Sequence, residues 1–344
     1  MVTAYGQEWI VQSRTKNSKS RAQIEALTLR AFPGVGLAPE DGALREHHDG
    51  WFNAVYELRL ADGRTVILKI APPPGAEVMQ YERDLMATEV ATMRLLRADP
   101  AILVPEVLFH DASREACDAD WFVMEKVPGL NLDHARARLP LDVLAGIDRE
   151  IGAMIRAVNR FTGDWFGCPG NPALRGATWR EAFLRIVDSV LVDASRKAVA
   201  FHRPEPEIRA LVDKHADSLD EVRTPRLVHW DAWDPNFFVA DGRVTGLIDL
   251  ERALWADPLM EAQFRPLSWG AGVTEAMRGY GKTAFSADET RRCRLYTLHL
   301  ALVMHTECFY RHYGNDEILE KSRGMIVDNL DWLDAHGAPA PAGG

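Results

Sequence analysis

His229, Asp231, Asn236 and Asp249 are the residues of this chain whose types and spacing most resemble a chemical site. The first three lie in the stretch "LVHWDAWDPNFF" (227–238), where two tryptophans are wedged among the polar groups. An Asp-Gly turn at 241–242 serves as a ruler for the hairpin that follows. If Ala240 faces Arg243, Val239 faces Val244 and Asn236 falls opposite Leu247, with Asp249 two residues further along the returning strand. An Asn carbonyl and an Asp carboxylate are hard oxygen ligands, suited to Mg²⁺ that also holds substrate phosphates. Asp231 precedes Asn236 by five residues, in the loop entering the hairpin, where it can face a reacting hydroxyl. Singly, Asp and Asn near turns are ordinary caps and turn formers. The whole set, His-x-Asp-x-x-x-x-Asn followed by a hairpin and "LID", points instead to catalysis and metal binding.

A second group lies in the first half. Lys69 sits in "TVILKIA", where an ammonium is costly unless a carboxylate or an anionic ligand pairs with it. Asp62-Gly63 predicts a two-residue hairpin turn with Ala61 opposite Arg64, and therefore Tyr56 opposite Lys69. The periodicity that follows predicts a helix over about 77–97. Glu82 and Glu89, seven apart, share one of its faces beside the apolar stripe Met86, Val90, Met93 and Leu96. Glu89 is the preferred partner of Lys69, with Glu82 as the alternative. Gly50 and Asn53 fall in a short loop between strands, placed to lie over phosphates near Lys69, although one glycine is a weak phosphate loop and an ordinary turn is the competing reading.

The remaining pattern supplies the frame. Ser20 and Gln23 have capping-box spacing ahead of Ile24, Leu27 and Ala31. "EVLFHD" and "DWFVMEKV" read as strands, and Pro128-Gly129 marks a boundary. Beyond it the chain is mostly helical, over about 141–160, 178–194, 205–219, 258–265, 273–280, 287–309 and 316–334. The predicted division is 1–127, 128–336 and a disordered tail at 337–344. The second "ADGR", at 240–243, repeats the first at 61–64, but the flanks do not match, so shared turn chemistry explains it.

The chain has 344 residues, of which 47% are hydrophobic and 26% charged, as in a soluble globular protein. Fifty acidic against 40 basic residues give a formal charge of −10, which disfavours nucleic acid and anionic lipid as partners. The charge is spread over both halves, without a strongly acidic cation trap. Four well-separated cysteines, the lack of an apolar leader in the opening residues, and the lack of an apolar run of membrane-spanning length predict a reduced, cytoplasmic protein. Asp257-Pro258 reads as an N-cap with Pro at the first helical position. Glu251 is either an accessory metal group or a surface acid. Trp230, Trp233, Trp255 and Trp269 are either core or, for one or two of them, the wall of a substrate pocket.

"VILKI", "TEVATMRLL", "WFVMEKVPG", "HWDAWDPN" and "GLIDLERALWADP" run in order from about 42 to 265, and together they resemble the aminoglycoside phosphotransferase and choline kinase-like small-molecule kinases. The 18-residue separation of Asp231 and Asp249 resembles the kinase arrangement as well. The resemblance implies an α+β, bilobal protein kinase-like fold, with an antiparallel-sheet N-lobe carrying one long helix and a mainly helical C-lobe. It implies that Lys69 holds nucleotide phosphates with Glu89 orienting it, and that the backbone from Glu125 to Val127 meets the adenine. It further implies that Asp231 is catalytic, that Asn236 and Asp249 bind Mg²⁺, and that His229 braces the loop. Trp230 stands where the family has glycine. The expected activity is transfer of the γ-phosphate of ATP or GTP to a hydroxyl of a small molecule, with an antibiotic of aminoglycoside or nucleoside type favoured. Trp233, Trp269 and Glu251 are candidate substrate residues. A metabolic kinase for an amino alcohol or sugar, and a non-catalytic nucleotide-binding protein, are the rivals. The oligomeric state is left open.

Overall fold

The computed structural model describes residues 15–48, 52–311 and 316–337. Gly50 and the tail at 338–344, both assigned roles above, lie outside the described residues. The chain divides into two compact units, the first comprising Met1–Glu77, Pro105–Lys126 and Arg311–Gly314, and the second Val78–Val104, Val127–Tyr310 and Asn315–Gly344.

The first unit is built on a five-stranded antiparallel sheet in the order Leu44–His47, Ala54–Arg59, Thr65–Ile70, Trp121–Glu125, Val107–Asp111. The helix Arg21–Ala31 starts at the predicted capping box: the Ser20 N–H donates to Gln23 Oε1 at 2.9 Å and the Gln23 N–H to Ser20 Oγ at 3.4 Å. Ile24 and Leu27 on its inner face join Tyr56, Leu58, Leu68, Ile70 and Trp121 in one core.

The turn at Asp62-Gly63 differs from the prediction. Lys69 pairs with Val55, and Tyr56 with Leu68, one residue away from the expected register. The Leu60 N–H donates to Arg64 O and the Gly63 N–H to Leu60 O, so the loop has three residues, with Gly63 at φ +88° after the turn. This is a hairpin turn with a glycine bulge, not the two-residue form. Because side chains alternate between faces, the slip decides which face Lys69 shares. Tyr56 and Leu68 enter the core together, while Lys69 lies on the other face beside Val55.

In the second unit the helix expected over 77–97 spans Leu85–Leu96. Ahead of it the Glu82 carboxylate accepts the Met79 N–H at 2.8 Å to close a short turn, and Asp84 adopts a left-handed conformation at φ +50°. The other Glu82 oxygen accepts the Tyr81 hydroxyl at 3.3 Å. The helices Leu141–Val158, Trp179–Arg196, Glu205–Lys214, Ala287–Arg311 and Asp316–Ala335 follow the predicted pattern. The expected helix at 258–265 is instead two short 3₁₀ turns, Pro258–Met260 and Ala262–Phe264, then a single turn at Arg265–Ser268, because the chain re-enters extended conformation at Glu261. Trp179, Phe183, Phe264 and Tyr296 dominate the core of this unit. All four cysteines are free thiols. Among the described residues no helix is long and apolar enough to cross a membrane.

Candidate active site

The polar stretch at 229–236 connects the strand Arg226–Val228 to the hairpin Phe237–Ala240 and Arg243–Leu247. Asp241 and Gly242, at φ +51° and +74°, form the predicted two-residue turn, and Ala240 pairs with Arg243 and Val239 with Val244. A register shift then intervenes. Phe238 pairs with Gly246 and Phe237 with Leu247, so Thr245 is an extra residue and Asn236 does not face Leu247 as counted. The Asn236 carbonyl instead accepts the Ile248 N–H at 3.0 Å. The bulge therefore brings Asn236 beside the residue that precedes Asp249.

Two further bonds lock this junction. His229 is fully buried, and its Nε2 lies 2.9 Å from the Ile248 carbonyl, which only accepts, so the proton sits on Nε2. Asn236 Nδ2 donates to the Asp231 carbonyl at 2.7 Å. The loop that carries Asp231 is thereby fixed to the segment that carries Asp249. The amide hydrogen thus spent orients Asn236 and leaves its side-chain oxygen as the group able to meet a cation.

Asp249 adopts a left-handed conformation at φ +65° and is followed by the 3₁₀ turn Leu250–Arg252, on which the helix Leu85–Leu96 packs. Carboxylate oxygens of Glu89, Asp249 and Glu251 all lie within 4.8 Å of one another. Three hard oxygen donors so close, with Asn236 tied to the same junction, fit a divalent cation of the Mg²⁺ type. Glu251 is 4% exposed, so it is not a surface acid. Glu89 stands within this carboxylate group, a juxtaposition that sequence spacing did not reveal.

Trp230, at the position where a glycine is expected, has φ +67°, in the left-handed region that glycine favours. A tryptophan is held there by its surroundings. Its N–H and that of His229 donate to the two oxygens of Glu261, at 3.2 and 2.9 Å, and Asn159 Nδ2 donates to the same carboxylate at 2.9 Å. The Arg265 guanidinium donates to the Trp230 carbonyl. The buried indole packs against Tyr81 at 6.0 Å and His299 at 5.5 Å, with the Arg252 guanidinium 5.3 Å from the ring centre. Burial pushes the Glu261 carboxyl above its ordinary range, opposed by His229 and by the hydrogen bonds it accepts. Burial pulls the Arg265 guanidinium down, opposed by Asp231 and Glu261. Sequence reading missed Glu261, Arg265 and Asn159. The one signal available was the Trp in a glycine position, which demands a backbone brace from elsewhere in the chain.

Asp257 accepts the Leu259 N–H at 3.1 Å ahead of Pro258, the predicted N-cap. It also takes Arg292 Nε at 2.9 Å and the Tyr296 hydroxyl at 2.8 Å, which makes it a buried structural hub.

In the first unit Lys69 and Asn53 are both buried, and the Lys69 ammonium is 6.0 Å from the centre of the Phe122 ring. The Glu125 N–H donates to the Glu106 carbonyl at 3.0 Å, and its carboxylate accepts the Glu106 N–H at 3.1 Å. In the second unit Val127 is buried against Gly246, where an added Cβ would collide with it. Trp230 is core, whereas Trp233 and Trp269 are 52% and 53% exposed.

The family model of phosphotransferase enzymes matches residues 43–296. Two curated Aspergillus fumigatus proteins, each a subtelomeric hrmA-associated cluster protein, are 37% identical over 114 residues; the match spans 33% of this chain and 22% of theirs. Among solved structures, aminoglycoside phosphotransferase APH(4)-Ia in a ternary complex with AMP-PNP and hygromycin B is 18% identical, with a TM-score of 0.62 over 92% of this chain and 100% of that one. A candidate fructosamine-3-kinase from Thermobifida fusca is 21% identical, with a TM-score of 0.60 over 91% and 99%. Likeness at such identity establishes the fold, which is the α+β, protein kinase-like one.

Proposed function

This chain belongs to the phosphotransferase enzyme family, and on that premise we propose that it transfers the γ-phosphate of ATP or GTP to a hydroxyl of a small molecule, an antibiotic of aminoglycoside or nucleoside type. The observation that carries the reading is the junction in which His229 and Asn236 bind the backbone at Ile248, between the loop of Asp231 and the carboxylates of Glu89, Asp249 and Glu251. Asn236 and Asp249 would hold Mg²⁺, with Glu251 as a further oxygen donor. When bound there, the cation would neutralise charge on the phosphates. Asp231 orients the acceptor hydroxyl and takes its proton late, as the new P–O bond forms and the β,γ-bridging P–O bond breaks to release the nucleoside diphosphate. Lys69 would carry the nucleotide's phosphates, Glu89 would serve that lysine as well as the metal, and the backbone at Glu125 and Val127 would meet the base. Residues 1–127 and 128–336 are the functional halves of this reading, and a cytoplasmic location goes with it.

The test is mass spectrometry of products after incubation with Mg²⁺-ATP or Mg²⁺-GTP and a panel of antibiotics, amino alcohols and sugars. One added phosphoryl group on a panel member is the expected result, and an amino alcohol or sugar as the sole product assigns a metabolic kinase. Lys69→Ala should weaken productive nucleotide use, and Glu89→Ala should do so less. Failure of the unmodified protein to bind any nucleotide would sink the reading.

A further inference from the structure

Trp233, in the Asp231 loop, and Trp269, at the end of the short helix whose first residue binds that loop, are both left more than half exposed. The Trp233 N–H donates to the Asp231 carbonyl at 3.0 Å, so its indole is carried immediately after the candidate catalytic carboxylate. Trp269 closes the short helix Arg265–Ser268, whose first residue grips the Trp230 carbonyl. Three residue steps, ~4.5 Å along the axis, separate the two ends of that helix. Ser268 is buried and bonded to the Cys293 carbonyl at 3.0 Å and to the Thr297 hydroxyl at 2.9 Å, so the exposure of Trp269 is held by an anchored neighbour. Past it, Gly270 and Gly272 border open space, since an added Cβ on either would meet nothing within 4 Å.

The charges on these same segments decide what such rings would take. From Ala262 to Thr274 there is no acidic residue. Glu261, just before, spends its carboxylate on the His229 and Trp230 amides, and Glu275, just after, pairs with Arg149 at 2.6 Å. Asp234, next to Trp233, is paired with Arg136, which also holds Asp148 at 2.7 Å. Asp231 itself lies in the field of the Arg265 guanidinium. A polycationic acceptor needs carboxylates to receive it, and Asp234, Glu261 and Glu275, which flank the two tryptophans in sequence, are already matched by guanidinium groups or backbone amides.

We infer that the acceptor is a neutral, hydroxyl-bearing molecule with a flat ring face, of the nucleoside or aryl glycoside class, which stacks on Trp233 and Trp269 while Asp231 receives its hydroxyl proton. The inference rests on the phosphotransfer reading above and narrows it. Stacking on an indole tolerates any planar ring and is lost on truncation to alanine.

The full chain with Mg²⁺-ATP is offered neutral nucleosides and aryl glycosides beside kanamycin, hygromycin B and choline, and product masses are read. The same compounds are titrated against tryptophan fluorescence with Mg²⁺-ADP present, so that one which binds without reacting still registers. Neutral ring compounds should be bound and phosphorylated in preference to the cations. Trp233→Ala and Trp269→Ala should each raise the acceptor KM about tenfold with the ATP KM unchanged, and Trp→Phe at either position should restore most of the loss. Preference for a cation, binding of none of the neutral compounds, or an acceptor KM indifferent to both alanine variants would overturn the inference. Nucleotide binding, measured separately by calorimetry, distinguishes these outcomes from failure of the phosphotransfer reading, which loses nucleotide binding altogether.

Discussion

The four residues Ala-Asp-Gly-Arg occur twice, at 61–64 and 240–243, and fold into two different turns. In the first, Leu60 and Arg64 close a three-residue loop in which Gly63 alone has positive φ. In the second, Ala240 and Arg243 pair directly, and both Asp241 and Gly242 have positive φ. Each hairpin then delivers a candidate site residue, Lys69 on the returning strand five residues after Arg64, and Asp249 just past the returning strand, six after Arg243. In the second hairpin a later bulge at Thr245 shifts the count again. A turn sequence therefore sets that the chain reverses, while the strands it joins select the register through the faces they must bury.

The largest effects should separate what the two hairpins deliver. Asp231→Asn nearly preserves volume but removes the charge, and single-turnover transfer should fall ~10²-fold or more while Mg²⁺-nucleotide affinity survives. Asp249→Ala should lose metal-dependent nucleotide affinity along with turnover. Lys69→Ala, at the end of the first hairpin, should weaken nucleotide affinity with or without the metal. Full transfer by Asp231→Asn would remove Asp231 from the catalytic role, and identical profiles for Asp249→Ala and Lys69→Ala would erase the distinction between the hairpins.

Smaller differences test the turns themselves. Both turn glycines have positive φ, so alanine at either should cost about 1 kcal/mol. At Gly242 the added Cβ would also stand 3.2 Å from Val143 Cγ1, whereas at Gly63 it meets nothing. Urea denaturation should therefore rank Gly242→Ala as the more destabilising variant, and the opposite order would mean that the first turn is the more constrained.

The smallest effect concerns the two turn aspartates. Asp62 accepts the Arg64 N–H at 3.1 Å and Arg64 Nε at 2.8 Å, and these bonds hold its carboxyl below the usual value of 3.8. A depressed carboxyl supports the fold above its unfolded pKa and loses that support as pH falls through the folded one. The Gly63 amide resonance should thus titrate below pH 3.8 in the unmodified protein and lose the transition in Asp62→Asn. Asp241→Asn should leave the second turn intact, because asparagine tolerates the same left-handed backbone. A Gly63 titration unchanged in Asp62→Asn would show that the side chain does not hold the first turn.

Local chemistry was enough to read several pieces from residues alone. The Ser20/Gln23 capping box, the I′ turn at Asp241-Gly242, the Asp257-Pro258 cap and the long helices beyond 140 depend on interactions within a few residues of the chain, and all occur where the pattern placed them. Residue types and spacing likewise singled out His229, Asp231, Asn236 and Asp249 before any contact was known. Other features required the folded chain. The left-handed Trp230 is held by Glu261 and Arg265, 31 and 35 positions away. Glu89 meets Glu251 across more than 160 residues of sequence, and the slip that places Lys69 opposite Val55 answers to the core beneath Tyr56 and Leu68. A cap or a turn draws its energy from neighbours the sequence names. A strained backbone, a carboxylate cluster or a register draws it from partners that only packing brings near, and no local pattern encodes which distant residue will arrive.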